Sequence, residues 1–409
     1  MDRHSHQKPQ VYQQIYLLSS WLVKSENQKE EEGEAQAVII GGMVLDIHAI
    51  PSIPPNPRTT VPGKVRYAAG GVARNIAECV SKLGTKPFMI SALGSDIAGN
   101  MLLEYWKSTG LSTEGIRMGN EIQTPVVSIV FDTEGESAAA VASVESLEQF
   151  LTPKWIQQFK SNISSAPIVM VDANLSPLAL EASCQLAAEV GTPVWFEPVS
   201  VAKSRRIVSV AKYITFTSPN EDELIAMANA LSPKHTFSPI QKEASTITSL
   251  FQQLKPAISI LLEKGIKVVI LTLGSKGVLL CSKKHFNFLH SICPKRNNNN
   301  KRLQEAINLV CPVGRFSGGG GGGVVHFPAV SLAAVVRLTG AGDCLVGGVV
   351  ASVCGGLDLM QSVAVGIATA KAAVEVETNV PLQFDFDHIA EDARSVYLGA
   401  KVVFSQSML

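Results

Sequence analysis

From Ala37 onward, short apolar runs alternate with segments whose apolar positions recur at helical spacing. "AVIIGGMVLD" reads as a β-rich run ending in glycines and Asp46, and in "GGVARNIAECVSKLG" Val72, Ile76, Val80 and Leu83 fall on one helical face. Similar pieces return in "IVMVDANL" with "SPLALEASCQLAAEVG", in "TPVWFEP", in "YITFTSPNEDELIAMANAL" and in "IKVVILTLGSKGVLL". Short apolar runs alternating with helices predict an α/β fold whose mostly parallel sheet is covered on both faces. "CLVGGVVASVCGGL", Cys344 to Leu357, is bracketed by Asp343 and Asp358 and is too short to span a bilayer, so it predicts a buried helix.

Four stretches stand outside this alternation. "GKVRYAAG" (63–70) and "TPVVSIVFDTEGESAAAVAS" (124–143) read as half-exposed strands with a turn at Glu134-Gly135. Pattern alone leaves two choices for them, a small sheet beside the core or an ordinary edge hairpin. Residues 1–36, with the charge run "KSENQKEEEGEAQ" and no cleavage-like end, read as a mobile extension. From about 283 to 325, "NNNN" at Asn297 to Asn300 and the glycines Gly318 to Gly323 predict a disordered surface insertion. What remains is one large domain over 37–398 and a tail over 399–409.

Composition removes several partners. Lys plus Arg and Asp plus Glu both total 35, which leaves no footprint for nucleic acid or an anionic membrane. The 7 cysteines are scattered without CxxC pairs, which suits a reducing compartment and gives zinc no support. The 8 histidines show no paired spacing.

The chemistry concentrates in "VVRLTGAGDCLVGG". A carboxylate among glycines at a helix start is either a cap that satisfies orphan amides, or a free base beside amides that face an anion. The surrounding motifs bear on that choice. "GSDIAGNM" has Asn100 and Met101 where a Walker A loop needs Lys and Ser/Thr, and no GxGxxG follows the first strand. In order along the chain stand "AAGGVARNIAECVSKLG", "ALGSDIAG", the N-x-x-E of "PNEDE", the T-x-G-x-x-G of "TLGSKG" and "LTGAGDCLVGG". Together they resemble the signatures of the PfkB, or ribokinase-like, family of carbohydrate and nucleoside kinases over about residues 37–398.

That resemblance implies a three-layer α/β/α fold with a small β lid near residues 50–70 and 120–143. It implies Asp343 as general base, with Gly340, Ala341 and Gly342 forming an anion hole for the transferred phosphoryl group. The acceptor would lie on Asp46, Gly70, Gly71 and Asn75. ATP would lie on Asn220, Thr272, Gly274 and Gly277, with Glu223 holding Mg2+ through water. The family's place for a monovalent cation carries Arg337 followed by Leu338, which puts potassium activation in doubt. Paired lid strands in some relatives imply a possible homodimer.

Within the family, "EPVSVAKS", "VDANL" and "LTGAGDCLVGG" most resemble the pseudouridine kinases, including those of plants. The implied reaction is phosphorylation of the 5′-hydroxyl of pseudouridine. The alternatives are another sugar or nucleoside kinase (ribose, adenosine, inosine) and a non-catalytic sensor or scaffold. Ser407, Met408 and Leu409 resemble a C-terminal peroxisomal address read by an import receptor, with the cytoplasm as the alternative.

Overall fold

The computed structural model describes residues 36–55, 58–134, 137–232, 236–240, 246–283, 301–314, 322–332 and 335–405. Their strands are β1 (Ala37–Ile40), β2 (Val44–Pro51), β3 (Gly63–Gly70), β4 (Pro87–Gly94), β5 (Ile116–Gly119), β6 (Val126–Phe131) and β7 (Ser137–Ser143), then β8 (Val169–Asp172), β9 (Val194–Glu197), β10 (Phe216–Thr217), β11 (Val268–Thr272), β12 (Val278–Ser282), β13 (Gly323–Phe327) and β14 (Lys401–Ser405). The main helices are α1 (Val72–Lys82), α2 (Ile97–Ser108), α3 (Pro177–Glu189), α4 (Glu221–Leu231), α5 (Ile247–Glu263), α6 (Lys301–Val310), α7 (Ala341–Cys354), α8 (Leu359–Val374) and α9 (Phe386–Gly399).

One sheet runs β14-β13-β12-β11-β10-β9-β8-β1-β4-β5 and is parallel from β11 to β5. Strands such as β1 and β8 are buried at every position, as a parallel sheet covered on both faces requires. On one face α1, α6, α7, α8 and α9 pack into a core with Ile39, Met170 and Ile270; on the other, α3, α4 and α5 pack on Val38, Val171 and Val269. Alternate residues of one strand thus serve the two cores. The second sheet, β3-β2-β6-β7, stands apart as a four-stranded lid. The separate sheet decides between the two readings of 63–70 and 124–143.

Three expectations need correction. The run from Ala37 to Asp46 is two strands: β1 ends at Ile40, and after Gly41 to Met43 the chain re-enters as β2 in the lid. Asp46 therefore belongs to a lid strand and does not end a core strand. Where it is described, the segment 283–325 is not a disordered insertion; the asparagine run and most of the glycine run, within 284–300 and 315–321, lie outside the described residues. Residues 301–310 form α6, which buries Leu303 and Ile307, and residues 323–327 are β13, paired to β12 and β14. The asparagine and glycine runs on either side dominate the composition of this window and obscure the amphipathic helix between them. The tail from 399 likewise contributes β14, which completes the sheet edge. The extension over 1–35 and the tripeptide Ser407 to Leu409 lie outside the described residues.

Among the described residues no helix is long and apolar enough to cross a membrane. The buried helix expected over 344–357 is α7, whose residues from Cys344 to Cys354 are all buried. The 6 described cysteines are buried free thiols.

Candidate active site

The site forms where the lid meets the C-terminal ends of the parallel strands. Gly340 starts α7 in the left-handed region at φ 87°, and a Cβ there would stand 2.1 Å from the Asn379 carbonyl oxygen, so the turn admits only glycine. The first intrahelical bond is donated by Cys344 N to the Gly340 carbonyl (2.8 Å), which leaves the Gly342 and Asp343 amides at an open helix N-terminus. The Asp343 side chain is not spent on that terminus. Its Oδ2 accepts from Asn75 Nδ2 on α1 at 2.6 Å, across a separation of 268 residues.

The residues expected to hold the acceptor converge on the same place. Asp46 Oδ2 accepts from Asn379 Nδ2 (3.2 Å), and the same amide donates to the Ala69 carbonyl (3.1 Å). Gly70 pairs with Val44 in the lid, and a Cβ on it would meet Asp46 Oδ2 at 2.1 Å. Asn75 donates its own amide N–H to the Gly71 carbonyl (2.8 Å). The structure therefore gathers Asp46, Gly70, Gly71, Asn75, Gly340 and Asp343 around one cleft.

Burial raises the Asp343 carboxyl from 3.8 to about 6; the Asn75 hydrogen bond and the Arg74 charge oppose the rise, and Asp172 and Asp46 add to it. Asp46 is raised by burial as well, against Asn379, Arg74 and Arg337. The Arg337 guanidinium is engaged on two sides. One guanidinium nitrogen donates to the Glu377 carbonyl (3.1 Å), and the other lies 3.1 Å from His48 Nε2 on β2. Burial, followed by Arg337 and Arg66, lowers the His48 imidazole and favours its neutral form as acceptor.

The residues expected to hold the nucleotide form a neighbouring group. Asn220 and Glu223 make a capping box at the start of α4: Asn220 N donates to Glu223 Oε2 and Glu223 N donates to Asn220 Oδ1, both at 2.9 Å. Thr272, at the end of β11, bridges to Asn220 and donates its amide to the Pro219 carbonyl (2.9 Å). Gly274 and Gly277 lie in the β11–β12 hairpin. Gly277, at φ 90°, would place a Cβ 2.0 Å from the Phe327 carbonyl oxygen, so packing against β13 already accounts for its glycine. Gly274 is exposed at φ 56° with open space around it.

Glu197, at the end of β9, joins the two groups. Its carboxyl accepts from Ser218 Oγ, which in turn accepts from Trp195 Nε1 (2.8 Å). Burial pushes Glu197 well above its ordinary value, and the charges of Glu223 and Asp343 add to the rise. Glu223 is itself raised by burial. The Glu223 charge disfavours that of Glu197; among the described residues no three His, Cys, Asp or Glu side chains stand together as direct metal ligands, and a magnesium ion held by Glu223 through water is the arrangement that fits.

Sequence reasoning missed Arg74, Asp172, Glu197 and Asn379. Their signals are weak in isolation: an arginine inside a helix, an aspartate ending an apolar run, a glutamate before proline and an asparagine in a polar loop.

Comparison with known proteins bears on the fold and the family. The profile described as pfkB family carbohydrate kinase matches residues 34–298. The chain is 55% identical over 389 residues to the pseudouridine kinase of Arabidopsis thaliana, covering 91% of this chain and 100% of that one. It is 27% identical to the pseudouridine kinase of Escherichia coli, over 59% of this chain and 71% of the other. The solved structure of Arabidopsis thaliana ribokinase complexed with ribose and ATP superposes with a TM-score of 0.64 at 18% identity, covering 88% of this chain and 99% of that one. With a family profile over most of the domain, a relative alike over nearly the whole chain and a shared fold, this chain belongs to the pfkB family of carbohydrate kinases.

Proposed function

We propose that this protein transfers the γ-phosphoryl group of ATP to the 5′-hydroxyl of pseudouridine, giving pseudouridine 5′-phosphate and ADP. The observation that carries the chemistry is the Asp343 carboxylate, held by Asn75 beside the open amides of a helix start. The identity of the nucleoside is supported by the 55% likeness to the Arabidopsis enzyme over its whole length.

Phosphoryl transfer asks little covalent help from a protein; it asks for positioning and charge stabilisation. With Asn75 on Oδ2, Asp343 keeps Oδ1 to take the hydroxyl proton as the oxygen attacks. The open amides of Gly342 and Asp343 face the charge that develops on the transferred group, whereas the Ala341 amide donates to the Leu338 carbonyl (3.4 Å) and is not part of that anion hole. Asp46, oriented by Asn379, accepts from sugar hydroxyls, and Gly70 and Gly71 let the sugar approach the backbone. Asn220, Thr272 and the β11–β12 hairpin form the ATP side. Magnesium would be held through water by Glu223 and would supply neutralisation of phosphate charge; excess EDTA is expected to stop turnover.

The lid's exposed Val65, Tyr67 and Val141 support a homodimer paired through this sheet. Light scattering of wild type and Tyr67→Asp tests it: a wild-type monomer excludes the pairing. The deciding experiment for the reaction is ADP release with ribose, adenosine, inosine, uridine and pseudouridine. The highest kcat/KM is expected for pseudouridine. A preference for ribose or adenosine would replace the substrate, and silence with every acceptor would favour a sensor.

A further inference from the structure

Behind Asn75 lies a buried ionic cluster that the chemistry above does not use. Arg74 is 1% exposed and Glu78 2%. The Arg74 guanidinium donates in four directions: Nε to the Gly70 carbonyl (3.0 Å), Nη2 to the Ala69 carbonyl (2.8 Å), Nη2 also to Asn75 Oδ1, and Nη1 to Glu78. The other Glu78 oxygen accepts from Lys82 and from the Tyr105 hydroxyl (2.5 Å).

Resting on the kinase reading, we propose that Arg74 is a positioning residue for phosphoryl transfer. Its guanidinium holds the Asn75 amide in the orientation that donates to Asp343, and it ties that amide to the strand end carrying Gly70. An asparagine side chain has one accepting and one donating end. With Oδ1 taken by Arg74, Nδ2 is the end presented to the Asp343 carboxylate. Turned over, the amide would set its oxygen against a carboxylate and its N–H against a guanidinium, repulsive at both ends. The planar fork matters, because a single cation must satisfy Asn75 and two backbone carbonyls in fixed directions.

Charge points the same way. Glu78 balances Arg74, and Lys82 leaves the cluster net positive, since burial and the Glu78 charge keep Tyr105 protonated far above neutrality. Burial alone would lift Glu78, yet Arg74 and Lys82 hold it below its ordinary value. The groups around Asp343 are Arg74 and Asn75 on α1, Asp46 on β2, Asp172 at the end of β8, Glu197 at the end of β9, and the adjoining thiols of Cys79 and Cys344. Against those carboxylates Arg74 keeps Asp343 ionised at neutral pH.

Removing Arg74 alone strands Glu78, so the main variant is Arg74→Met with Glu78→Met, which replaces the buried pair by apolar volume. With wild-type folding by thermal melt, kcat is expected to fall about tenfold or more on whichever acceptor the wild type uses, so a wrong nucleoside leaves the test intact. The Asp343 carboxylate, followed by 13C NMR titration without substrate, is expected to titrate at higher pH than in the wild type. Should the double variant fail to fold, Arg74→Lys keeps the charge but loses the fork; kcat is expected to fall while the Asp343 titration stays near the wild-type pH. A folded double variant with wild-type kcat and an unmoved titration overturns the proposal, as does wild-type kcat in Arg74→Lys.

Discussion

Replacing Asp343 with Asn separates activity from stability. The folded protein holds the Asp343 proton up to about pH 6, against an ordinary value of 3.8. A raised carboxyl contributes stability that is present below the unfolded value and lost as pH rises through the folded one. Ionised Asp343 is therefore a cost at neutral pH. A rise from 3.8 to about 6 corresponds to about 3 kcal/mol, and because the carboxylate is only part-buried at the cleft, screening brings the expectation to about 1–3 kcal/mol. The substituted amide is nearly isosteric, its oxygen still accepts from Asn75, and it carries no charge. Urea melts of both proteins without nucleotide, from about pH 4 to 8, should coincide near the acid end and diverge through pH 6, with the variant more stable above. Turnover should meanwhile fall at least ~10²-fold, the lower range for a positioned general base. A variant less stable than wild type at about pH 7.5 would refute the electrostatic reasoning, and retained kcat would remove Asp343 from the mechanism.

Gly340→Ala is expected to cost at least about 1–2 kcal/mol for the left-handed backbone, more for the clash with the Asn379 carbonyl, and to lower Tm and kcat together. Gly342→Ala meets nothing within 4 Å and should keep Tm; a larger Tm loss than for Gly340→Ala would contradict the packing of the turn. Because position 337 offers a permanent positive charge instead of an oxygen ligand and its guanidinium takes the Glu377 carbonyl, rates in sodium and potassium salts should be alike, and a several-fold rise specific to potassium would show that other oxygens hold the ion despite Arg337. A fluorescent protein fused at the N-terminus, leaving Leu409 free, should enter peroxisomes and become diffuse when Ser407 to Leu409 are deleted; a diffuse signal from both fusions rules out the address.

Much of this is legible from local pattern. Strand and helix periodicity marks α1, α3, α4 and α7, since burial on one face repeats at intervals that one strand or one helix turn sets. The glycine at 340 and the aspartate at 343 are legible too, because a left-handed turn before a helix leaves a short-range signature. Local reading fails where a decision belongs to distant partners. The break at Gly41 that carries Asp46 from core sheet to lid depends on which strand β2 pairs with, not on its own residues. Residues 401–405 look like a tail until β13 arrives beside them.

The sequence by itself determined the strand–helix alternation of an α/β fold and the carboxylate at a helix start, since each rests on spacing within a few residues, and the kinase family followed from the resemblance of its ordered motifs. Only the tertiary structure decided what surrounds that carboxylate. Asn75 reaches Asp343 across 268 residues and Asn379 reaches Asp46 across 333. Arg74, an unremarkable helix residue in the chain, becomes a buried fork between them. Hydrogen-bond direction and burial are properties of packed neighbours, and no spacing along the chain records them.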